Sequence, residues 1–200
     1  GQMRFTLESK NSLSTIPKYT GVLSADEFRT LVNERGTEEQ IARLGDANTD
    51  WQKEIYRTAY INENNFSMTG GIAKLPYRFS LSNRYEEGLL MRDQLQRYTA
   101  TLNLNPTLLN GKLQLDVNQK FAQTYSFFAA RGAIGTATAF DPTQPVYVDS
   151  NTQVGGYFEW LQASGAPNTL ALKNPVSLIN QRDDDGRVIR YIGNAKATYN

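Results

Sequence analysis

Between residues 96 and 128 the chain alternates. Tyr98, Ala100, Leu102 and Leu104 point one way, and Thr99, Thr101, Asn103 and Asn105 the other. A second run sets Leu113, Leu115, Val117, Phe121, Tyr125 and Phe127 against Gln114, Asp116, Asn118, Lys120, Thr124 and Ser126. A side-chain period of two marks a strand with unlike faces, and Asn110-Gly111 between the runs predicts a tight hairpin turn. The same alternation recurs at Met3, Phe5 and Leu7, at Phe66 and Met68, at Tyr77, Phe79 and Leu81, and at Ala195, Ala197 and Tyr199. Six strands are expected, over 2–12, 62–71, 76–87, 95–107, 112–128 and 187–200.

The connections alternate in length: long, short, intermediate, short, very long. In the first, Ser24 with Glu27 reads as a capping box that opens a helix stopped at Gly36, and Thr37 opens a second one stopped at Gly45. After Phe128 the pattern dissolves for about 60 residues. Placing every long connection at one end is the habit of membrane barrels, which have short turns on one side and long loops on the other. A soluble sandwich does so only in part. Alternation from Leu113 to Phe127 extends roughly 50 Å at about 3.4 Å per residue, more than a bilayer core of about 30 Å requires. That strand is expected to project beyond the membrane.

Composition narrows the chemistry more than the solvent. The 21 basic and 20 acidic side chains nearly cancel, so no nucleic-acid partner is expected. The absence of histidine and cysteine removes a Ser-His-Asp triad, thiolate chemistry and His- or Cys-based metal sites. No nucleophile–base pair, phosphate loop or dinucleotide fingerprint is present, so neither an enzyme nor a cofactor is expected. No apolar run reaches the roughly 20 residues of a membrane helix. Barrel strands are only about 10 residues long and half polar, so this does not decide between lipid and water. Both ends fall within alternating runs, as if cut from something longer.

Two acidic stretches invite a calcium reading. Asp46, Asn48 and Asp50 have the first spacings of an EF-hand loop, but Trp51 and Arg57 stand where the motif needs Gly and Glu, so a capped turn is the better reading. The run Arg182–Gly186 reads as a solvated acidic turn, and no metal is expected there. The stretch 145–165 gathers Tyr147, Tyr157, Phe158 and Trp160. Such aromatics can stack on sugar rings or grip a protein surface, or they can form the loop's own small core. Tyr85, Tyr98, Tyr125, Phe127, Tyr191 and Tyr199 lie near strand ends, where a membrane barrel carries an aromatic girdle.

Several stretches in order resemble the SusC/RagA-type TonB-dependent outer-membrane transporters. They are the "LSADEF" helix at 23–28, the "TDWQKEI" box from Thr49 to Ile55, "FSMTGG" at 66–71, Glu87-Gly88, Arg97-Tyr98, "DPTQPVYVD" and "NPVSLINQRDDD". The resemblance implies a mainly β chain: an antiparallel meander forming part of a transmembrane β-barrel, with short helices in long extracellular loops. Residues 1–200 would then be one partial barrel of about six strands, without the plug and without the remaining strands. It implies a bacterial outer-membrane location and uptake of glycans or other large nutrients, oligosaccharide or peptide. It also implies a SusD-type surface lipoprotein as lid, and TonB acting through an N-terminal part not present here. On this reading Phe79, Leu81, Leu102, Leu104, Leu113, Leu115 and Val117 face lipid, and Asn103, Asn105, Asp116 and Asn118 face the lumen. Tyr147, Tyr157, Phe158 and Trp160 would touch cargo or lid. The alternative is a soluble β-rich carbohydrate- or protein-binding module, and a structural barrel without transport is a third reading.

Overall fold

Each alternating run becomes a strand of one antiparallel sheet. The computed structural model describes residues 2–72, 75–150 and 152–199. In chain order the strands are β1 (Arg4–Ser14), β2 (Ala59–Ile72), β3 (Leu75–Glu87), β4 (Gln94–Leu104), the two-residue β5 (Thr107–Leu108), β6 (Leu113–Phe127) and β7 (Asp185–Tyr199). The long strands lie side by side in sequence order, and β5 adds a short ladder at the start of β6. The expected short turn at 71–75 centres on residues 73 and 74, which lie outside the described residues. β1 and β7 form the two edges, and among the described residues they pair only inward.

The joint between β4 and β6 centres on Asn110-Gly111, as expected. Pro106 has no N–H to donate to a ladder, so β4 stops two residues before it, at Leu104, and the pairing resumes in β5 in the same register. The chain then reverses through Leu109, Asn110 and Gly111, with φ of 52°, 56° and 98°. Four residues, 109–112, form the loop in place of a two-residue one. Pro106 still contributes its carbonyl, which accepts from Leu115 N–H at 3.0 Å.

The helices lie in the long connections. α1 (Ala25–Arg35) opens on the expected capping box, with Glu27 N–H donating to Ser24 Oγ and Ser24 N–H to the Glu27 carboxylate. α2 (Glu38–Ile41) has the same device from Thr37 and Gln40 but ends well before Gly45. Gly45 serves another purpose: a Cβ there would sit 2.3 Å from the Thr143 carbonyl oxygen, so only glycine allows this close approach of two loops. α3 (Trp51–Ile55) follows the Asp50 N-cap. α4 (Gly132–Ala139) and α5 (Pro175–Asn180) form within the stretch where the sequence shows no pattern. α5 is capped by the buried Asn174 and has Pro at its start, where a missing N–H costs nothing.

The buried apolar core does not lie on the sheet. It sits among the loops, where Trp51 and Ile55 of α3, Ala133 and Ala137 of α4, and Val176 and Ile179 of α5 meet Leu90 and Phe140. The three connections β1–β2, β3–β4 and β6–β7 therefore converge at one end of the sheet, as the alternation of long and short connections predicts.

Candidate functional site

The strand register sorts the sheet into two faces. Phe79 stands opposite Leu102, Leu104 opposite Val117, and Leu81 opposite Ala100, while Leu113 and Leu115 share their parity on β6. All seven residues expected to face lipid thus lie on one face, and none is buried. Phe5 and Leu7 extend this face to the β1 edge at 58% and 77% exposure, and Tyr191 extends it towards β7 at 68%. The apolar band from Leu113 to Phe121 rises about 27 Å at about 3.4 Å per residue, close to the roughly 25 Å apolar belt of a membrane barrel. A row of this size left open to water would be costly, since each exposed square ångström forgoes about 25 cal/mol of burial.

Towards the loop end the same face turns to phenols and amides. Tyr60 Oη donates to Asn11 Oδ1 at 2.6 Å, Gln96 Nε2 donates to Tyr98 Oη at 2.6 Å, and Tyr85 Oη donates to Glu87 at 3.1 Å. Gln123 bonds Tyr125 in the same way. Rings with one apolar body and one polar tip suit the boundary between lipid and water. Of the expected girdle residues, Tyr85, Tyr98 and Tyr125 lie at this rim and Tyr199 at the opposite end, paired with Leu113. Phe127 lies under the Arg92 guanidinium, 4.5 Å from its ring centre.

The opposite face is mainly polar, with Ile61, Leu95, Val188 and Ile192 as its large apolar exceptions. Ser67, Ser80 and Thr101 lie in one row, and Asn103 stands opposite Asn118. Asn105 donates to Asp116 at 2.7 Å. Arg84 bridges two carboxylates, Glu63 at 3.1 Å and Glu86 at 2.8 Å. Arg97, directly opposite Arg84, bonds the Thr124 hydroxyl at 3.2 Å.

The loops carry the remaining candidates. Tyr157 is buried, takes a hydrogen bond from Asn180 Nδ2 at 3.0 Å, and stacks 5.0 Å from Tyr147. Phe158 lies edge-on to Phe140 and to Trp160 and packs on the core. These three rings hold the loop together, and Tyr147, 57% exposed, is the one that presents its ring to solvent. Between α1 and this loop runs a groove of about 760 Å³, floored by Phe28, Leu31, Trp160 and Leu172 and rimmed by Arg35 and Arg43. The stretch with EF-hand-like spacing folds around a cation of its own. Arg29 donates to the Gly45 and Ala47 carbonyls and to Asn48 Oδ1, while Asp50 turns away to cap α3 and pair with Lys53. Its carboxyl is pulled both ways: burial raises its pKa, and the Lys53 contacts outweigh that and lower it.

Buried polar groups in the loops are satisfied locally. Asn174 receives the Val176 and Ser177 N–H groups and donates to the Val146 and Phe158 carbonyls. The Glu159 carboxylate accepts from Asn174 N–H and Ser177 Oγ. Nothing local in the chain signals this network, because its members come from three separate stretches.

No protein-family model matches the chain. The TonB-dependent receptor SusC of Bacteroides thetaiotaomicron is 33% identical over 200 aligned residues, 94% of this chain. In sequence, the chain is a relative of SusC. It spans 20% of SusC's length, and 11% of the length of a second relative, TonB-dependent receptor P3 of Formosa agariphila, which is 28% identical over 125 residues. Among solved structures, a chain of the RagAB peptide importer in its closed-closed state superposes on all of this SusC-like chain with a TM-score of 0.63. At 14% identity, and with 26% of that importer chain covered, this establishes a shared fold. The ordered stretches that resemble SusC/RagA-type transporters thus agree with both a sequence relative and a structural neighbour.

Proposed function

We propose that the chain is a wall segment of a TonB-dependent nutrient transporter in a bacterial outer membrane. The observation that carries this reading is the open apolar face, continuous from Phe5 to Tyr191, with the molecule's buried core placed elsewhere. Lipid is the solvent that such a face matches, and a sheet closed into a barrel is one of two architectures that satisfy every backbone group in lipid. β1 and β7 would find their outer partners in the rest of the transporter. The polar face then lines an aqueous path, and the helical loops form part of the extracellular mouth. The wall's contribution is passive. It excludes lipid, offers polar groups to cargo in transit, and holds the mouth, while energy enters through TonB and parts of the transporter beyond this segment. The cargo class is a glycan or another large nutrient such as a peptide, and a SusD-type surface lipoprotein would close over the loops.

The chain contains no cysteine, so single cysteines placed here are unambiguous reporters within it. In the full-length transporter in bilayers, cysteines at Leu102, Leu104 and Leu115 should carry probes quenched from the lipid phase. Probes at Asn103 and Asp116 should respond to a water-soluble quencher instead. Equal quenching by both agents at neighbouring positions would overturn the assignment of faces, and with it the membrane reading.

A further inference from the structure

Composition suggests electrical neutrality, yet the fold sorts the charges. On the polar face β1–β3 carry Glu8, Glu63 and Glu86 among Arg4, Lys10, Arg78 and Arg84, so the two signs nearly balance there. β4, β6 and β7 present Arg97, Lys120, Arg190 and Lys196 on that face, and their only described acidic residue there is Asp116, near the turn end and opposite Lys196. Above Asp116 these strands hold cations without anions. Arg97 has Arg84 on one side and Thr124 on the other, Lys120 lies between Thr101 and Ile192, and Arg190 is opposite Ala122. Glu63 and Glu86 together carry one charge more than Arg84 neutralises, and Lys10, opposite Glu63 on β1, takes up that remainder. Lys120 and Arg190 are exposed and make no ion pair among the described residues.

We propose that this upper part of the polar wall binds an anionic oligosaccharide cargo, a chain bearing carboxylate or sulfate groups. The inference rests on the transporter reading above and names the substrate class of the same path. Three cations with no ion pair among the described residues, on strands about 4.8 Å apart, make a positive stripe, and charges facing a confined aqueous path act more strongly than in open water. They lie in the loop-end half of β4, β6 and β7, where cargo arriving from the mouth meets the wall first. Between them stand the hydroxyls of Thr99, Thr101, Thr124 and Ser126, which exchange hydrogen bonds with sugar hydroxyls as readily as with water. Charge together with hydroxyl lining matches a charged sugar chain.

The test uses the full-length transporter with its surface lipoprotein in detergent, and titration calorimetry with hexagalacturonate and its fully methyl-esterified form. The esters keep the sugar backbone and remove the charge. The intact protein should bind the free acid about tenfold or more tighter, with the preference shrinking as salt rises and the screening length falls from about 10 Å at 0.1 M to about 3 Å at 1 M. The triple variant Arg97→Gln, Lys120→Gln, Arg190→Gln should lose that preference and leave ester binding unchanged. The single variants should each lose part of it, which covers the case of a triple variant that fails to insert. Equal affinity for acid and ester, or an unchanged preference in the variants, overturns the inference. Tighter binding of a hexaglutamate peptide than of hexagalacturonate overturns the sugar assignment. Absence of the polypeptide from the heat-modifiable outer-membrane fraction would overturn the transporter reading itself, and the inference with it.

Discussion

Arg92 ties two loops together, and its removal has a calculable cost. Its backbone sits at φ 66°, in the left-handed region that costs an L-residue roughly 1–2 kcal/mol. The side chain offsets this. Nη1 donates to the carbonyls of Ile179, Asn180 and Arg182 at 3.2, 2.7 and 3.2 Å, and Nη2 donates to Asp183 at 2.7 Å. These carbonyls belong to the end of α5 and the residues after it, where helix geometry leaves acceptors without partners and where the helix dipole favours a cation. The guanidinium also covers the Phe127 ring, worth about 0.5–2 kcal/mol. Asp183 is 82% exposed, so its ion pair adds little. Allowing for non-additivity, Arg92→Ala should weaken the closure of α5 onto the sheet end by about 2–4 kcal/mol. Arg92→Gly loses the same contacts but sheds the left-handed penalty, and should recover about 1 kcal/mol of that loss. Hydrogen exchange on the full-length transporter reads this locally. Exchange of the Leu178 and Gln181 amides should accelerate about 30- to 900-fold in the alanine variant and less in the glycine variant. If Arg92→Gly exchanges as fast as Arg92→Ala, backbone strain has no part in it; if neither differs from the parent, Arg92 does not hold α5.

Other expectations follow from single contacts. Trp51 is buried, lies 4.8 Å edge-on from Phe140 and donates to the Asp141 carbonyl at 2.9 Å, so Trp51→Ala should cost the loop core about 3–5 kcal/mol. Limited proteolysis should then cut within residues 129–184 while the barrel stays heat-modifiable, and intact loops would refute this placement of the core. A lipid-facing Leu115→Arg should cost roughly 2–4 kcal/mol if Leu115 lies near the bilayer midplane, measured as the denaturant midpoint of folding into lipid, and a cost near zero would move Leu115 out of the membrane. Ser24 N–H and Ser24 Oγ–H both bond the Glu27 carboxylate and hold its pKa below the ordinary carboxylate range. That contribution is complete above the unfolded value near 4.3 and is lost as pH falls through the lower folded value; a carbon NMR titration should therefore give a lower Glu27 midpoint than in the Ser24→Ala variant, and equal midpoints would refute it.

What the sequence made legible is local. A period of two depends only on neighbouring residues, and it placed the long strands to within a few positions. The capping boxes at Ser24 and Thr37 are read over four residues, and both occur. The turn centred on Asn110-Gly111 was legible too, while the break that Pro106 makes in the ladder and the four-residue length of the loop were not. α5 had a readable signal, Asn174 followed by Pro175, an N-cap and an N1 proline. α4 had none: its "GAIGTATA" has no side-chain cap, and helix propensity gives it no support, so burial of Ala133 and Ala137 against neighbouring loops must hold it. The contacts that assemble the loops were beyond any local reading. Gln144 reaches the Arg43 carbonyl, Thr143 reaches Gly45, and Arg92 reaches the end of α5, each across some 90 to 100 residues. The unequal charge of the polar face was hidden in the same way, since net composition sums over a sorting that only strand register reveals.

The shared loop core has a mechanical meaning. Three strings tethered separately to a rim would flutter independently, and a touch on one would leave the others where they were. Here Trp51, Leu90 and Ile179 lock the β1–β2, β3–β4 and β6–β7 connections into one plate, joined to the sheet at the ends of strands β2, β4 and β7. Whatever presses on α3 pushes on α5, and so on the start of β7, through that plate, far along the chain. The loops answer as one lever, and its fulcrum is the row of strand ends.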